Sequence, residues 1–336
     1  LAWWHCSHLT DESRTTDRSD VSRACVRGVY GLLKEADPWL GGLHAPPLVA
    51  VLHSRAADDL WRFYAKPPAP PAVATAPTED PRYAAVAQKE VLYALCRRGV
   101  PVDLYYLETA QARQLQPYRA IVVSFPYAIS DGQAALLRNL AASGKTVIVI
   151  SQVGPLDEIG FPRSRPALLD LCGLREVPTD ETARVSHPVG KGRVVFLGDA
   201  YGHGLPLSRD NQKRTRTERI LPDPLSLERV NVLAETLQQA CGGEPWALSR
   251  MTDKDVEARC LVNAAGQPVL LAINWENEPQ AVELRVPLAK ATNYTGFRLG
   301  PDGRVTSSSV AAQAGQDGVR FKLTLQPQEA CLWRGR

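Results

Sequence analysis

Two imidazoles, two carboxylates and a guanidinium crowd the first fourteen residues, "LAWWHCSHLTDESR". If residues 1–6 are extended, Trp3 and His5 share one face while Ala2, Trp4 and Cys6 share the other. An indole and an imidazole at the end of a strand can form the floor of a binding site, one giving an aromatic face and the other a polar group. His8, Asp11, Glu12 and Arg14 follow on a polar loop, where they would sit just above that floor. The competing role for the stretch is an aromatic strand packed against a neighbouring domain.

Those residues must be positioned by the elements around them. In residues 1–42 a short strand and the loop "SHLTDESRTTDRSD" lead into a helix with Val21, Cys25, Val29, Leu32, Leu33 and Ala36 at near-helical spacing. Ser19 or Asp20 is a candidate N-cap, and Pro38 with Gly41 and Gly42 is expected to end the helix. Strand, polar loop and helix resemble the last βα unit of a (β/α)₈ barrel, whose strand-end loops build the active site. Residues 43–245 alternate strand and helix. "PLVAVLHS", "VDLYYL", "AIVVSF", "TVIVIS" and "RVVFLGD" read as strands; "RYAAVAQKEVLYALCRRG", "SDGQAALLRNLAASG", a short "SRPALLDLCG" and "LSLERVNVLAETLQQAC" read as helices. The proline-rich "KPPAPPAVATAPTEDP" reads as a loop. This alternation predicts an α/β flavodoxin-like domain with a parallel sheet between helices. From 246 to 336 the rhythm becomes strands joined by Gly- and Asn-containing turns, predicting an antiparallel β-sandwich.

A doubly wound sheet directs the search for chemistry to the carboxyl ends of its strands. No G-x-G-x-x-G follows the first strand and no G-x-x-x-x-G-K-[ST] occurs, which disfavours dinucleotide and P-loop sites. Class I glutamine amidotransferases share the layout and need a Cys in a G-x-C-x-G turn. Here Ser151 and Gln152 stand at that place in "VIVISQVGPLDE". His187 precedes a strand and no Glu lies two residues after it, so nucleophile and base are both missing. "GDAYGHG" (198–204) could cradle an anion but reads first as a Gly-rich turn with His203 exposed. Asp157 and Glu158 are sequence neighbours, which points to a turn rather than to a glycosidase pair. Trp275 in "INWENE" is either a sugar platform or an aromatic of the β domain.

Composition narrows the classes. The net charge of +3 over 336 residues offers no footprint for nucleic acid, and Lys213, Arg214, Arg216 and Arg219 form a local cluster without aromatics, read as a solvated loop. No apolar run is long enough to span a bilayer, so no membrane partner is expected. The seven cysteines are scattered and lack C-x-x-C pairs, so neither a metal site nor any cofactor is expected. They leave the compartment open, with the bacterial cytoplasm favoured.

The succession of parts resembles the multidomain β-galactosidases and related glycosidases. "PLVAVLHSRAADDLW" looks like the first strand after the family's barrel, and "LYALCRRGVPVDL" like its helix-then-strand segment. "YRAIVVSFPYAISDGQAALLRNLAASGKTVIVISQVGPLDE" carries a similar turn after its strand, and "PALLDLCGLRE", "VGKGRVVFLGD" and "LTLQPQEACLW" follow in order. The resemblance implies that residues 1–42 end a barrel, 43–245 form an amidotransferase-like trimerisation domain, and 246–336 form the closing sandwich. It implies a homo-oligomer, a trimer, and a carbohydrate substrate bound through the parent barrel, with Trp3 and His5 as aromatic floor and polar group at the last strand's end and His8, Asp11, Glu12 and Arg14 on the loop above. The family's two catalytic glutamates have no counterpart here, so a catalytic barrel is expected before Leu1 and no catalytic residue within the chain. The alternatives are a stand-alone carbohydrate-binding or interaction protein with a degenerate amidotransferase fold, and a hydrolase using a different site in the α/β domain.

Overall fold

The computed structural model describes residues 18–63, 84, 87–89, 91–92, 95, 99–201, 224–242, 256–287, 292–315 and 318–335. The chain divides into two compact units: described residues up to 44 and from 256 onward form one, and those between 45 and 242 the other.

The second of these is built on a six-stranded sheet. Its strands are β1 (Val49–His53), β2 (Val102–Tyr106), β3 (Ala120–Ser124), β4 (Thr146–Ile150), β5 (Arg184–Val189) and β6 (Gly192–Leu197), ordered β2-β1-β3-β4-β6-β5. All neighbours are parallel except β5, which returns antiparallel along β6. β3 and β4 are buried at every position, and β1 at all but its last. Such continuous apolar runs are what a parallel strand covered on both faces requires. β2 and β5 alternate between exposed and half-buried residues as sheet edges do.

Among the helices of this unit are α2 (Arg55–Phe63), α3 (Ala112–Leu115), α4 (Asp131–Ala142) and α5 (Pro224–Cys241), numbered after α1 (Arg18–Leu40) of the other unit. α4 shows how local sequence sets them. Ser130 Oγ accepts from Gln133 N at 3.2 Å and Gln133 Oε1 accepts from Ser130 N at 2.8 Å, a reciprocal capping box. Ala134, Leu137, Leu140 and Ala141 form its buried stripe. The short helix expected in "SRPALLDLCG" is a run of turns instead. Pro166 and Gly173 leave six residues between them, too few to repay helix nucleation. Conversely, β5 is a strand absent from those the sequence announces, because a half-exposed edge strand containing Pro188 lacks the apolar run of its neighbours.

In the other unit, β7 (Val256–Val262), β8 (Pro268–Asn274), β10 (Asn293–Leu299), β11 (Val305–Ala311) and β14 (Ala330–Gly335) form a sheet ordered β11-β10-β14-β8-β7. β9 (Gln280–Pro287), β12 (Gln313–Gly315) and β13 (Gly318–Leu325) form a second, ordered β12-β13-β9. Both are antiparallel. One core joins them: Cys260, Leu270, Tyr294, Cys331 and Trp333 from the larger sheet, Leu284, Val286, Val319 and Leu325 from the smaller.

The opposite face of the larger sheet is covered by α1. Leu32, Ala36 and Trp39 pack on Val269, Leu299 and Leu332. Trp39 stacks on Phe297 at 5.2 Å between centroids, with the Arg334 guanidinium 4.9 Å from the Trp39 ring. The stripe is therefore rotated from the one expected: Val29 is exposed, and Gly28 faces the sheet. A Cβ at Gly28 would lie 2.5 Å from Leu299 Cδ1 and 2.8 Å from Gly303 O, so glycine sets the distance of approach. Pro38 does not end the helix. It lies in the last turn, where its missing N–H forfeits only the bond to Lys34, and the chain leaves at Gly42 with φ +67°.

Gly296 provides the sharpest test of the larger sheet. It pairs with Trp333, and a Cβ there would meet the Leu332 carbonyl oxygen at 1.9 Å, a contact with main chain that no rotamer relieves. Gly296→Ala should separate β10 from β14 and cost about 3 kcal/mol or more, the range for overpacking that shifts backbone. A urea midpoint unchanged from the parent chain would show that the pairing is looser than described.

Candidate functional site

Where the parallel strands end, polar side chains replace apolar ones. β1 finishes in His53 and passes through Ser54 into α2. Ser54 is fully buried, and its Oγ accepts from Ala57 N at 3.1 Å, capping the helix. The backbone of Ser54 is held by one side chain: Gln88 Oε1 accepts from Ser54 N at 2.6 Å and Gln88 Nε2 donates to Ser54 O at 3.1 Å. Gln88 Nε2 also donates to Asp58 Oδ1 at 2.8 Å, while Asp58 Oδ2 lies 2.9 Å from His53 Nε2. From the loop after β2, Glu108 Oε1 accepts from Ala56 N at 3.0 Å and from Ser54 Oγ at 3.2 Å. A carboxylate of the protein thus occupies the first turn of α2, where an anion would otherwise be favoured. Tyr106 closes the side, its ring edge-on to His53 at 5.7 Å.

This cluster lies where strand order reverses between β1 and β3, the place at which doubly wound sheets bind ligands. Its residues satisfy one another. A nucleophile–base pair needs a hydroxyl or thiol within reach of the imidazole, whereas His53 is bonded to a carboxylate and Ser54 to helix and loop.

One strand pair further along the sheet, β4 ends in Ser151, buried and at φ +74°. A non-glycine residue there is uncommon and marks a strained turn. Ser151 Oγ hydrogen-bonds Asp199 Oδ1 at 2.5 Å, in the short helical turn after β6. Phe125, after β3, is likewise at positive φ. The expectation that Ser151 and Gln152 occupy the strand-end turn agrees with this geometry. The hydroxyl is tied to a carboxylate, with no imidazole partner among the described contacts.

The other candidates fall out as follows. Trp3, His5, His8, Asp11, Glu12 and Arg14 lie outside the described residues, as do His203 and the cluster Lys213, Arg214, Arg216 and Arg219. Asp157 Oδ1 accepts from Ile159 N at 3.1 Å and Phe161 N at 2.8 Å, so that carboxylate organises a turn. His187 sits on edge strand β5 opposite Val194. Trp275 is exposed. Cys172, Cys241, Cys260 and Cys331 are buried free thiols, and burial raises each, Cys172 and Cys260 to about 12 and Cys241 to about 11. None is a thiolate near neutrality. Among the described residues no cluster of three His, Cys, Asp or Glu could hold a metal, and no helix is long and apolar enough to cross a membrane.

The sequence matches no protein-family model and no curated protein. Solved structures do match. A β-galactosidase from the haloarchaeon Halorubrum lacusprofundi aligns with 90% of this chain at TM-score 0.52 and 19% identity. In fold, the chain is similar to part of a β-galactosidase. A catalytic mutant of Gan42B, a GH42 β-galactosidase from G. stearothermophilus, aligns with 87% at TM-score 0.53 and 14% identity. The enzyme from Bacillus circulans sp. alkalophilus gives 87%, 0.51 and 13%. The chain spans 41–42% of the length of these three structures. A mixed α/β sheet and antiparallel β sheets like those of this chain thus occur in these solved structures.

The cluster around Ser54 went unread because its partners are distant in sequence: Gln88 is 34 residues away and Glu108 is 54. The local signal was a polar His-Ser pair directly after an apolar strand. Gln88→Ala would leave the buried N–H and C=O of Ser54 unmet, at a cost of about 2–3 kcal/mol. Chemical denaturation would read that loss, and a change within error would mean that water replaces the amide. The thiols predict a second trend. Their folded values lie above the unfolded value of about 8.5, so neutral thiols favour the folded state below that pH. As pH rises past it the unfolded chain ionises first, and stability should decline between pH 8 and pH 10 more steeply than in a variant with Cys172 and Cys260 changed to Ala.

Proposed function

We propose that this chain is the non-catalytic carboxyl-terminal region of a glycoside hydrolase similar to the β-galactosidases. Its work is to assemble subunits and to wall the active site of a barrel that carries the hydrolytic carboxyl pair. The observation that carries this reading is the match over 87–90% of the chain, which takes in both units, to about two-fifths of such enzymes' length.

Several features support the finer assignments. The order β2-β1-β3-β4 followed by β6 is that of a flavodoxin-like sheet, with β5 added at the edge. The two antiparallel sheets around Trp333 fit a β-sandwich. A hydroxyl locked on Asp199 and a helix start filled by Glu108 suit an amidotransferase-like domain that scaffolds rather than reacts. The parent enzyme is a homo-oligomer, a trimer joined through the α/β domain. Its barrel ends in residues 1–42, where Trp3 and His5 contact the sugar and His8, Asp11, Glu12 and Arg14 line the loop above.

Three measurements test this. The 336-residue chain alone should not hydrolyse an aryl β-galactoside above background, and turnover by it would sink the reading. Light scattering of the parent protein should give a trimer, and a clean monomer at high concentration would refute the assembly role. In the parent, Trp3→Ala should lower kcat/KM by roughly 2 kcal/mol, about thirtyfold, through lost aromatic burial. Trp4→Ala, on the opposite face, should lower stability with little kinetic effect, and an exchange of the two phenotypes would reverse the facing of the strand.

A further inference from the structure

Of the four tryptophans among the described residues, Trp39, Trp61 and Trp333 are buried, and Trp275 is 46% exposed. What lies beneath Trp275 is among the most heavily bonded turns of its unit. β8 ends in Asn274, whose side chain is wholly buried. Asn274 Nδ2 donates to Glu278 O at 2.9 Å and Gln326 O at 2.8 Å, with Leu325 O at 3.3 Å, and Oδ1 accepts from Glu276 N at 2.9 Å. One amide therefore ties the turn after β8 to the turn between β13 and β14. The second turn is fixed in its own right. Glu329 Oε2 accepts from Gln326 N at 2.8 Å, and both its oxygens lie about 3 Å from Arg298 Nη1. Gln328 N donates to Glu276 O at 3.0 Å.

Two exposed amides complete the surface. Gln328 Nε2 donates to Asn277 Oδ1 at 2.7 Å. That bond orients both side chains and leaves an N–H of Asn277 and the carbonyl of Gln328 facing outward as a donor and an acceptor. Gln328 holds φ +52°, where glycine would sit without strain. Its side chain is thus kept at a conformational cost, on a surface where it adds no buried contact.

We propose that this paired turn binds a neutral saccharide, its apolar C–H face on Trp275 and two neighbouring hydroxyls on Asn277 and Gln328. A sugar hydroxyl both donates and accepts, so adjacent ones match a fixed donor–acceptor pair. Glu276 and Glu278 stand on the same turn, no Lys or Arg occurs in residues 274–279 or 326–329, and Arg298 beside it is engaged by both oxygens of Glu329, which disfavours phosphate, sulfate and uronate ligands. A cationic ligand would use the ring and the carboxylates but has no use for the Asn277 donor, and cation sites are built as cages of several aromatics. The inference stands on this unit alone, whether or not the chain belongs to a hydrolase.

The test is a titration of the full chain with lactose, following tryptophan indole N–H signals by NMR. Digalacturonate and choline serve as charged controls. The Trp275 signal, assigned by its absence in Trp275→Ala, should shift saturably with a Kd of about 1 mM, the strength of one platform with two hydrogen bonds. Trp275→Ala should weaken lactose binding tenfold or more, judged on ligand signals, with at most a small drop in Tm because nearly half of the residue is already exposed. Gln328→Gly should keep or raise the Tm, since glycine accepts the backbone, yet weaken binding severalfold. The proposal fails if lactose leaves that indole unmoved at about ten times this Kd, if Trp275→Ala binds like the parent chain, or if either charged probe binds more tightly than lactose.

Discussion

Strands β1, β3 and β4 are covered on both faces, and most of the α/β unit follows from that constraint. A strand with no solvent face has every main-chain group in a ladder and every side chain in a core, so its sequence is an unbroken apolar run. Its difficulty moves to its ends, where the ladder stops inside the protein and the last N–H and C=O must find other partners. At β1 the partner is Gln88, which meets both groups of Ser54 with one side chain. At β4 it is a turn strained enough to place Ser151 at positive φ and bond its hydroxyl to Asp199. The strand ends are where such folds do chemistry, and the same demand for closure can be met by groups that do none.

That distinction separates a site from its outline. A hydroxyl in a strand-end turn, a carboxylate beside it and an imidazole two strands away are parts that catalysis uses. Reactivity depends on which part touches which. Here each imidazole, hydroxyl and carboxylate of the cluster is spent on the backbone or on its neighbour, so the network stiffens the sheet instead of activating a nucleophile. The buried thiols tell the same story from another direction, because desolvation holds them neutral.

Much of the architecture was legible because burial writes itself into local pattern. The apolar runs of β1, β3 and β4 announce strands without tertiary knowledge, "SDGQAALLRNLAASG" announces α4, and the alternation of Val282, Leu284 and Val286 announces β9. The errors occur where one element's fate is decided by another. α1 turned its Gly28 face inward because Leu299 and Gly303 leave no room for a Cβ, a fact recorded on residues 270 positions away. β5 is a strand only because β6 offers it an edge. The Ser54 cluster needs Gln88 and Glu108, and nothing near Ser54 in sequence names them. Trp275 was readable as a sugar platform or as a core or edge aromatic of the β domain, and its exposure removes only the core reading.

The β unit resolves a related problem by a different route. Its larger sheet is sandwiched between α1 and the smaller sheet, and its central strand β14 carries bulky residues on both sides: Trp333 toward one core, Leu332 toward the other. A sheet whose faces are taken up by packing leaves its turns for recognition. Turns are ordinarily the softest part of an antiparallel domain. The turns after β8 and β13 depart from that rule, because Asn274 and Glu329 spend buried polar groups on fixing main chain that solvent would otherwise satisfy. Buried amides of this kind add little net stability beyond what water offers the same groups. What they do add is a fixed geometry, and a rigid base under one exposed indole is worth that investment only where the surface above it must present a shape.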